Sequence, residues 1–458
     1  MNERKFDAIV LGAGPAGEVC AGRLADGGLS VAIVEQHLIG GECSYYACMP
    51  SKALLRPADL LAEARRVPGV VEAVTGRLDP TAALARRDKV IHDLDDSGQL
   101  PWLEERDIEL FRAEGRLEGE RRVIVGDEIL SAGTAVVIAT GSGAAMPPID
   151  GIDSVRPWNN RQGTISKRVP ASMIVLGGGP VGCELAQAWA TLGTKVTLVE
   201  GEPRLLMREE TFAGEQIAEA LREQHGVEVR TGVQAQRLSR DDAGVVAELD
   251  DGTRAEGEEI LVAVGRKPRT DDIGLGSAGV EPDEHGFLEV DGRMRVGGRD
   301  WLYAVGDVNG RALFTHMGKY QAWVAVENLL GREVEASAEG LGSPRITFTD
   351  PQVAAVGKTL AQAQEAGLQA RAIDTPTDGT PGASFQGKDT GGTSRLVIDE
   401  AEKTIIGATF TGFETADFLH AATIAIVGQV PLTQLRHAIP AYPSRSEVWL
   451  KLLEAYER

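Results

Sequence analysis

The sequence predicts an α/β chain: two parallel-sheet units, the second a repeat of the first, followed by a C-terminal α+β portion. Three observations carry this reading. The order apolar run, glycine-rich turn, helix, apolar run, acid occurs twice, at residues 6–35 and 172–200, with the glycine turns offset by 165 positions. From about Pro344 the texture changes to hairpin-like runs with Gly/Thr/Ser turns, closing in two helical segments. At 458 residues the chain is too long for one ordinary core, and about 150 residues per domain suggests roughly three domains.

In the first unit, residues 6–11 lead into Gly12-Ala13-Gly14-Pro15-Ala16-Gly17, and residues 29–34 end in Glu35, 23 positions after Gly12. A strand that turns into a helix through GxGxxG brings backbone N–H groups to a pyrophosphate, and an acid about 20 residues on accepts from a ribose hydroxyl. In the second unit, residues 172–176 enter Gly177-Gly178-Gly179-Pro180-Val181-Gly182, and residues 195–199 end in Glu200, again 23 positions after the first glycine. Two dinucleotide sites follow, one at Gly12, Gly14, Gly17 and Glu35, the other at Gly177, Gly179, Gly182 and Glu200. Glu200 repels a 2′-phosphate, so NADH is favoured over NADPH; Arg204 is a nearby cation that could swing toward such a phosphate. Cys20 and Cys183 fall inside the two helices and read as core.

Between the units lies Gly40-Gly41-Glu42-Cys43-Ser44-Tyr45-Tyr46-Ala47-Cys48-Met49-Pro50-Ser51-Lys52. On an ideal helix two residues five apart are separated by roughly 8.6 Å, from a 1.5 Å rise, 100° per residue and a 2.3 Å radius. A disulfide needs Cα atoms within about 6.8 Å. If Cys43 and Cys48 pair, the helix is distorted there, with Pro50 removing a donor close by. Three readings stand at this point: a redox-active pair beside a cofactor, two inert buried thiols, and a zinc site. The last has no second ligand pair in support. Four cysteines are too few for a secreted disulfide framework, so a bridge here would be catalytic rather than structural.

The 68 acidic and 47 basic residues give a formal charge of −21, which repels nucleic acid and anionic lipid. Fifty-five glycines fit tight turns and phosphate-facing loops. The N-terminus carries Glu3, Arg4, Lys5 and Asp7 and lacks a signal-peptide core, and no span is apolar enough for a membrane. A cytoplasmic protein with no nucleic-acid or membrane partner is the expectation.

Residues 53–100 read as helices, and residues 111–126 as a small hairpin. Strands are predicted at 135–141, ending in Thr140-Gly141, and at 260–268, passing through Gly265. Another, at 301–307, ends in Gly306-Asp307 before a helix opening at residues 313–318. Residues 375–393 read as an exposed loop. A strand pair flanks residues 400–403, and helices are predicted at 414–428 and 447–456.

With these motifs in hand, the chain resembles the pyridine nucleotide-disulfide oxidoreductase family, near dihydrolipoamide dehydrogenase and mercuric reductase, over nearly its whole length. The resemblance implies two Rossmann-like dinucleotide-binding domains (FAD and NAD) plus a C-terminal α+β dimerisation domain. The expected boundaries are 1–150 for the FAD domain with the redox pair, 151–270 for the NAD(P) domain, 271–340 for the second FAD part and 341–458 for dimerisation. It implies FAD at the first glycine turn, with Thr140, Gly141 and Asp307 around it, and NAD(P)H at the second, with Gly265 closing that repeat. Cys48 would face the flavin and Cys43 would exchange with substrate, while Lys52 and Glu184 would form the ion pair beside the flavin and nicotinamide. It further implies a homodimer in which one chain's tail completes the other's site. Aligned from Glu447, that tail puts Tyr442 where the family carries its catalytic histidine. Tyrosine, with an ordinary pKa near 10, is a poor base at neutral pH; His437, five residues earlier, is the alternative. The expected acceptor is a small-molecule disulfide. A quinone or metal ion, and a catalytically degenerate complex subunit, are the alternatives. Mercury reduction is disfavoured because no cysteine follows Cys183.

Overall fold

The computed structural model describes residues 2–458. Strand β1 (Asn2–Leu11) turns through Gly12 into α1 (Pro15–Asp26) and β2 (Val31–Val34). Helices α2 (Gly41–Tyr45), α3 (Cys48–Arg66) and α4 (Pro80–Val90) follow. The chain then forms β3 (Glu109–Phe111), β4 (Gly115–Leu117), β5 (Arg122–Val125), β6 (Glu128–Ile138) and β7 (Ser142–Ala144). The opening pattern recurs in β8 (Ser172–Leu176), α5 (Pro180–Thr191), β9 (Lys195–Glu200), α6 (Thr211–Glu223) and β10 (Glu228–Thr231). A meander of β11 (Ala235–Asp241), β12 (Gly244–Leu249) and β13 (Arg254–Gly257) precedes β14 (Glu259–Val262), β15 (Arg266–Pro268) and β16 (Leu302–Ala304). After α7 (Thr315–Leu329) come β17 (Arg345–Thr347), β18 (Gln352–Gly357), β19 (Ala370–Pro376), β20 (Thr393–Asp399) and β21 (Thr404–Gly412). Helices α8 (Ala416–Val427) and α9 (Val448–Tyr456) end the chain.

Two compact units result. The first comprises residues up to Pro50, 88–145 and 266–339; the second comprises 51–87, 146–265 and 340–458. The chain thus passes from one to the other within α3.

In the first unit, β3, β2, β1 and β6 run parallel in that order, β16 lies parallel to β6, and β5 and β4 pair antiparallel beyond it. Alternate residues of β1 and β6 bury on opposite faces, Val10 and Val137 against α1 and α7, Ile9 and Val136 on the other side. The second unit carries the parallel sheet β10-β9-β8-β14 and an antiparallel five-stranded sheet β17-β18-β21-β20-β19. Trp189 on α5 anchors its core, fully buried, edge-on to Trp158 and donating to Gly163 O at 3.1 Å. Leu54 and Leu55 of α3 pack into the same cluster. Helices α8 and α9 bury Phe418, Val448 and Leu452 with Phe410 of the five-stranded sheet.

Several local expectations are corrected. Phe111 is not in a hairpin; it ends β3, parallel to β2, and its ring meets Phe6 edge-on at 5.9 Å, so the hairpin is β4–β5. The strand expected at 135–141 is the buried end of the eleven-residue β6, whose outer half pairs with the polar start of β1. The run at 260–268 divides at Gly265, held at φ +154°, into parallel β14 and a short β15 antiparallel to β7. The loop after β19 is only partly exposed, for Thr377, Thr380 and Thr390 are buried.

Candidate active site

The two glycine turns share one construction. Gly12 and Gly177 sit at φ +103° and +108°, where an L side chain is strained, and a Cβ on them would lie 2.4 Å from Ala139 O and 2.5 Å from Ala263 O. A Cβ on Gly17 or Gly182 would lie 1.9 or 1.8 Å from the carbonyl oxygen of the first glycine, so only glycine lets helix and strand close up. The middle glycines differ: a Cβ on Gly14 or Gly179 meets no protein atom within 4 Å. Both are the N-caps of their helices without any side-chain cap, and Pro15 and Pro180 follow. Open space before uncapped backbone N–H groups is the cradle a pyrophosphate fills, so the residues present fit dinucleotides at both turns.

Each turn also carries its acid. Glu35 accepts from Ala13 N at 2.8 Å and His37 N at 2.7 Å, and Glu200 accepts from Gly178 N and from Glu202 N at 2.8 Å. Two backbone bonds thus orient each carboxylate and leave lone pairs for a ribose hydroxyl. Arg204 does not swing. Its Nη1 donates to Leu205 O and Leu206 O at 3.2 and 2.9 Å, and its Nη2 to Met207 O and Glu209 O at 3.0 and 2.9 Å.

In the first unit, the thiol stretch docks on the first turn. Gly40 N donates to Ala13 O at 2.7 Å, and Gly40 and Gly41 both have positive φ; a Cβ on Gly41 would approach Gly14 Cα to 2.8 Å. No single helix runs through the cysteines: α2 ends at Tyr45 and α3 starts at Cys48. That break removes the geometric bar to pairing. Cys43 and Cys48 are thiols in this structure and hydrogen-bond each other. The bond to Cys48, then burial and the Cys48 charge, push the Cys43 thiol up, opposed by a hydrogen bond from Thr315 and the charge of Lys319. Cys48 Sγ lies 3.4 Å from Thr315 Oγ1, at the N-terminus of α7. Cys20 and Cys183 are fully buried, and burial pushes the Cys20 thiol up to about 12.

Around the same turn, Asp307 accepts from Ser142 Oγ at 2.5 Å, and Arg266 donates to Ser142 Oγ and O, each at 2.8 Å. Thr140 Oγ1 donates to Arg269 O at 2.7 Å, Arg269 N donates to Gly141 O at 2.9 Å, and the Arg269 side chain pairs with Glu42 at 2.8 Å. Thr140, Gly141 and Asp307, named from the sequence, thus lie in one network with Ser142, Arg266 and Arg269, which no local motif marks and which, like Thr315, were not named from the sequence.

In the second unit, Lys52 Nζ meets Glu184 Oε2 at 2.7 Å, and Glu184 Oε1 accepts from Phe348 N at 2.9 Å. Glu184 is only 4% exposed, and Lys52 Nζ also sits 4.8 Å from the Phe348 ring centroid. The ion pair expected from resemblance is therefore formed.

A family model described as pyridine nucleotide-disulphide oxidoreductase matches residues 6–327, and the dimerisation-domain model of the same family matches residues 343–453. The chain belongs to the pyridine nucleotide-disulphide oxidoreductase family. It is similar to a dihydrolipoyl dehydrogenase of Thermus scotoductus, 32% identical over 99% of this chain and 98% of that one. It is also similar to a mercuric reductase of Lysinibacillus sphaericus, 27% identical over 98% of this chain and 82% of the relative. Among solved structures, the Cu(II) complex of the HOCl-induced flavoprotein disulfide reductase RclA from Escherichia coli superposes with a TM-score of 0.87 at 26% identity, covering 98% and 99% of the two chains. Pyridine nucleotide-disulphide oxidoreductases are FAD-dependent enzymes acting with NAD(P)H, and so is this chain.

The segment matching the dimerisation domain includes the tail. Tyr442 is 77% exposed and Ile439 87% exposed, and His437 is exposed as well. Glu447 is buried and caps its own helix turn, accepting from Ser444 N at 3.2 Å. Among the described residues no hydrogen bond or ion pair joins the side chain of Tyr442 or His437 to an acid of their own unit. Among the described residues no helix is long and apolar enough to cross a membrane.

Proposed function

We propose that the enzyme passes a hydride from NADH through FAD to a Cys43–Cys48 disulfide and on to a small disulfide acceptor. The observation that carries this is the pair itself: two thiols hydrogen-bonded to each other, on a stretch docked against the first glycine turn, with Thr315 at a helix N-terminus beside Cys48. In this reading Gly12, Gly14, Gly17 and Glu35 hold the FAD pyrophosphate and ribose, with Thr140, Gly141 and Asp307 near its ribityl chain. Gly177, Gly179, Gly182, Glu200 and Gly265 hold the nicotinamide nucleotide. The FAD domain spans 1–150 and 271–340, the NAD domain 151–270, and the dimerisation domain 341–458.

FAD held at the first turn would supply two-electron chemistry between nicotinamide and disulfide, for an overall balance in which NADH, a proton and a disulfide become NAD⁺ and two thiols. The residues organise this. Lys52, fixed by buried Glu184, presents a cation that favours an anionic reduced cofactor. Glu200 accepts from a ribose hydroxyl, and Arg204, fully spent on carbonyls, offers nothing to a 2′-phosphate, which supports NADH over NADPH.

Cys43, its thiol pushed up by Cys48, stays protonated at neutral pH and needs a base to attack the next acceptor. Tyr442 stands where the family has histidine, and its exposure in this chain fits a role on a partner chain, so we assign proton handling to the partner tail of a homodimer.

A second reading, delivery of electrons to a metal ion or quinone, is favoured by the tyrosine at 442 and by the mercuric reductase and Cu(II)-complexed relatives. An acceptor screen with Cys43→Ser and Cys48→Ser decides between them. Loss of disulfide-acceptor turnover with retained flavin reduction by NADH supports the relay, and undiminished turnover of every acceptor refutes it.

A further inference from the structure

Helix α3 brings three charged residues to one face at seven-residue intervals: Lys52, Asp59 and Arg66. Opposite them, α5 presents Glu184 and Gln187, one turn apart. The segment between β17 and β18 closes the arrangement. Phe348 N donates to Glu184 Oε1 at 2.9 Å, Asp350 N donates to Gln187 Oε1 at 2.8 Å, and Asp350 Oδ2 pairs with Arg66 Nη2 at 2.5 Å. With Lys52–Glu184 at 2.7 Å the contacts form a ring, and Asp59 lies on α3 between its two cations.

Every other charged member of that ring has a partner at hydrogen-bond distance, whereas no hydrogen bond or ion pair to the Asp59 carboxylate is found among the described residues. Burial, the largest influence, raises its pKa to about 7; Asp350 and Glu184 add to this, while Arg56 and Arg66 oppose it. Burial, the largest influence, lowers the pKa of His225, which interacts with Asp350 and Arg66. The charged groups acting on Asp59 are thus Arg56 and Arg66 from its own helix, Glu184 from α5 and Asp350 from the β17–β18 segment, with His225 beside Asp350 and Lys52 two turns earlier on the same face of α3.

We propose that Asp59 is a positioning residue whose ionisation sets the charge that the Lys52–Glu184 pair presents, and through it the pH dependence of flavin reduction by NADH. This rests on the role given above to that ion pair. With Asp59 protonated, Lys52 is balanced by Glu184 alone. When Asp59 ionises, a second negative charge joins the ring and offsets the cation that favours the reduced cofactor, so reduction slows as pH rises through 7.

The test is rapid-mixing reduction of the holoenzyme by NADH from pH 5.5 to 8.5, in the wild type and in Asp59→Asn, with thermal melts over the same range. The wild-type rate is expected to fall by about threefold or more across a single ionisation centred near 7. Asp59→Asn should stay flat at the low-pH value. The melts read the same proton without the redox step. A carboxyl whose folded pKa is raised to about 7 contributes stability that is full below its unfolded value and lost as pH rises through 7, so the variant's melting temperature should gain on the wild type as the pH climbs toward 7 and hold that gain above it. An Asn variant that keeps the wild-type rate profile overturns the proposal, and Asp59→Ser, held to the same expectation, serves if Asn does not fold. Glu184→Gln separates the two layers: if it leaves flavin reduction unchanged, the ion-pair role has failed and the inference falls with it.

Discussion

In the proposed reading Gly179 is the position where the nucleotide, rather than the protein, demands glycine, and replacing it by alanine isolates that demand. The added Cβ meets no protein atom within 4 Å, and the residue's φ of −75° is ordinary for alanine, so folding is undisturbed. The methyl points into the space before the uncapped start of α5, where it obstructs a pyrophosphate approaching the backbone. Losing one charge-assisted hydrogen bond costs about 1.5–3 kcal/mol, or roughly 10- to 150-fold in affinity at 1.4 kcal/mol per decade.

Gly182→Ala is the counterpart. Its Cβ would lie 1.8 Å from Gly177 O, against 3.4 Å for an ordinary contact, so the turn must open. Overpacking of this kind costs about 1–3 kcal/mol, and each kcal/mol lowers the melting temperature by about 2–4 °C in a domain of 150–250 residues. Calorimetric NADH binding and a thermal melt on both variants check the reasoning. Gly179→Ala should melt with the wild type and bind NADH at least tenfold more weakly, while Gly182→Ala should lose both stability and binding. Wild-type affinity in Gly179→Ala would refute the assignment of this turn to the nucleotide.

Arg204→Leu removes four bonds to carbonyl oxygens, so it should destabilise the chain by about 2–4 kcal/mol in denaturant unfolding without shifting the ratio of NADH to NADPH turnover; a selective loss of NADPH turnover would show that Arg204 does reach a phosphate. Glu18, beside Gly17, has its pKa raised to about 7, chiefly by burial and further by Glu35, with Lys319 opposing. The stability of its protonated form is lost as pH rises through 7, so Glu18→Gln should raise the melting temperature at pH 8.5 and lose that advantage as the pH falls below 7. A gap that does not change with pH would contradict this.

The parts of the site legible in the sequence were those in which chemistry is local. Gly12, Gly14 and Gly17, and their counterparts at 177, 179 and 182, are spaced by the geometry of one turn, and Glu35 and Glu200 bond back to the backbone of those same turns. Lys52 and Glu184 are 132 residues apart, and only resemblance to a family joined them. Thr315, Arg266 and Arg269 were invisible because their roles depend on which loops the sheets bring together, and a threonine at a helix start reads as nothing more than that. The helix break at Tyr46–Ala47 was foreseeable only as a condition: if the thiols meet, the helix cannot be regular. Arg204 shows the opposite limit, since a cation four residues from an acid reads as mobile until its carbonyl partners are seen. Phe111 misled because a short parallel strand of three residues and the arm of a hairpin share one sequence texture.

A disulfide between Cys43 and Cys48 that receives the electrons of NADH is the centre of the proposed relay. The direct measurement is an anaerobic titration of the oxidised holoenzyme with NADH, quenched by a thiol alkylating reagent and read by peptide mass. The prediction is that Cys43 and Cys48 are crosslinked before addition and both alkylated after one equivalent of NADH per chain, with Cys20 and Cys183 unchanged. Flavin that bleaches while Cys43 and Cys48 stay crosslinked, or thiols that are free before any NADH is added, would contradict it.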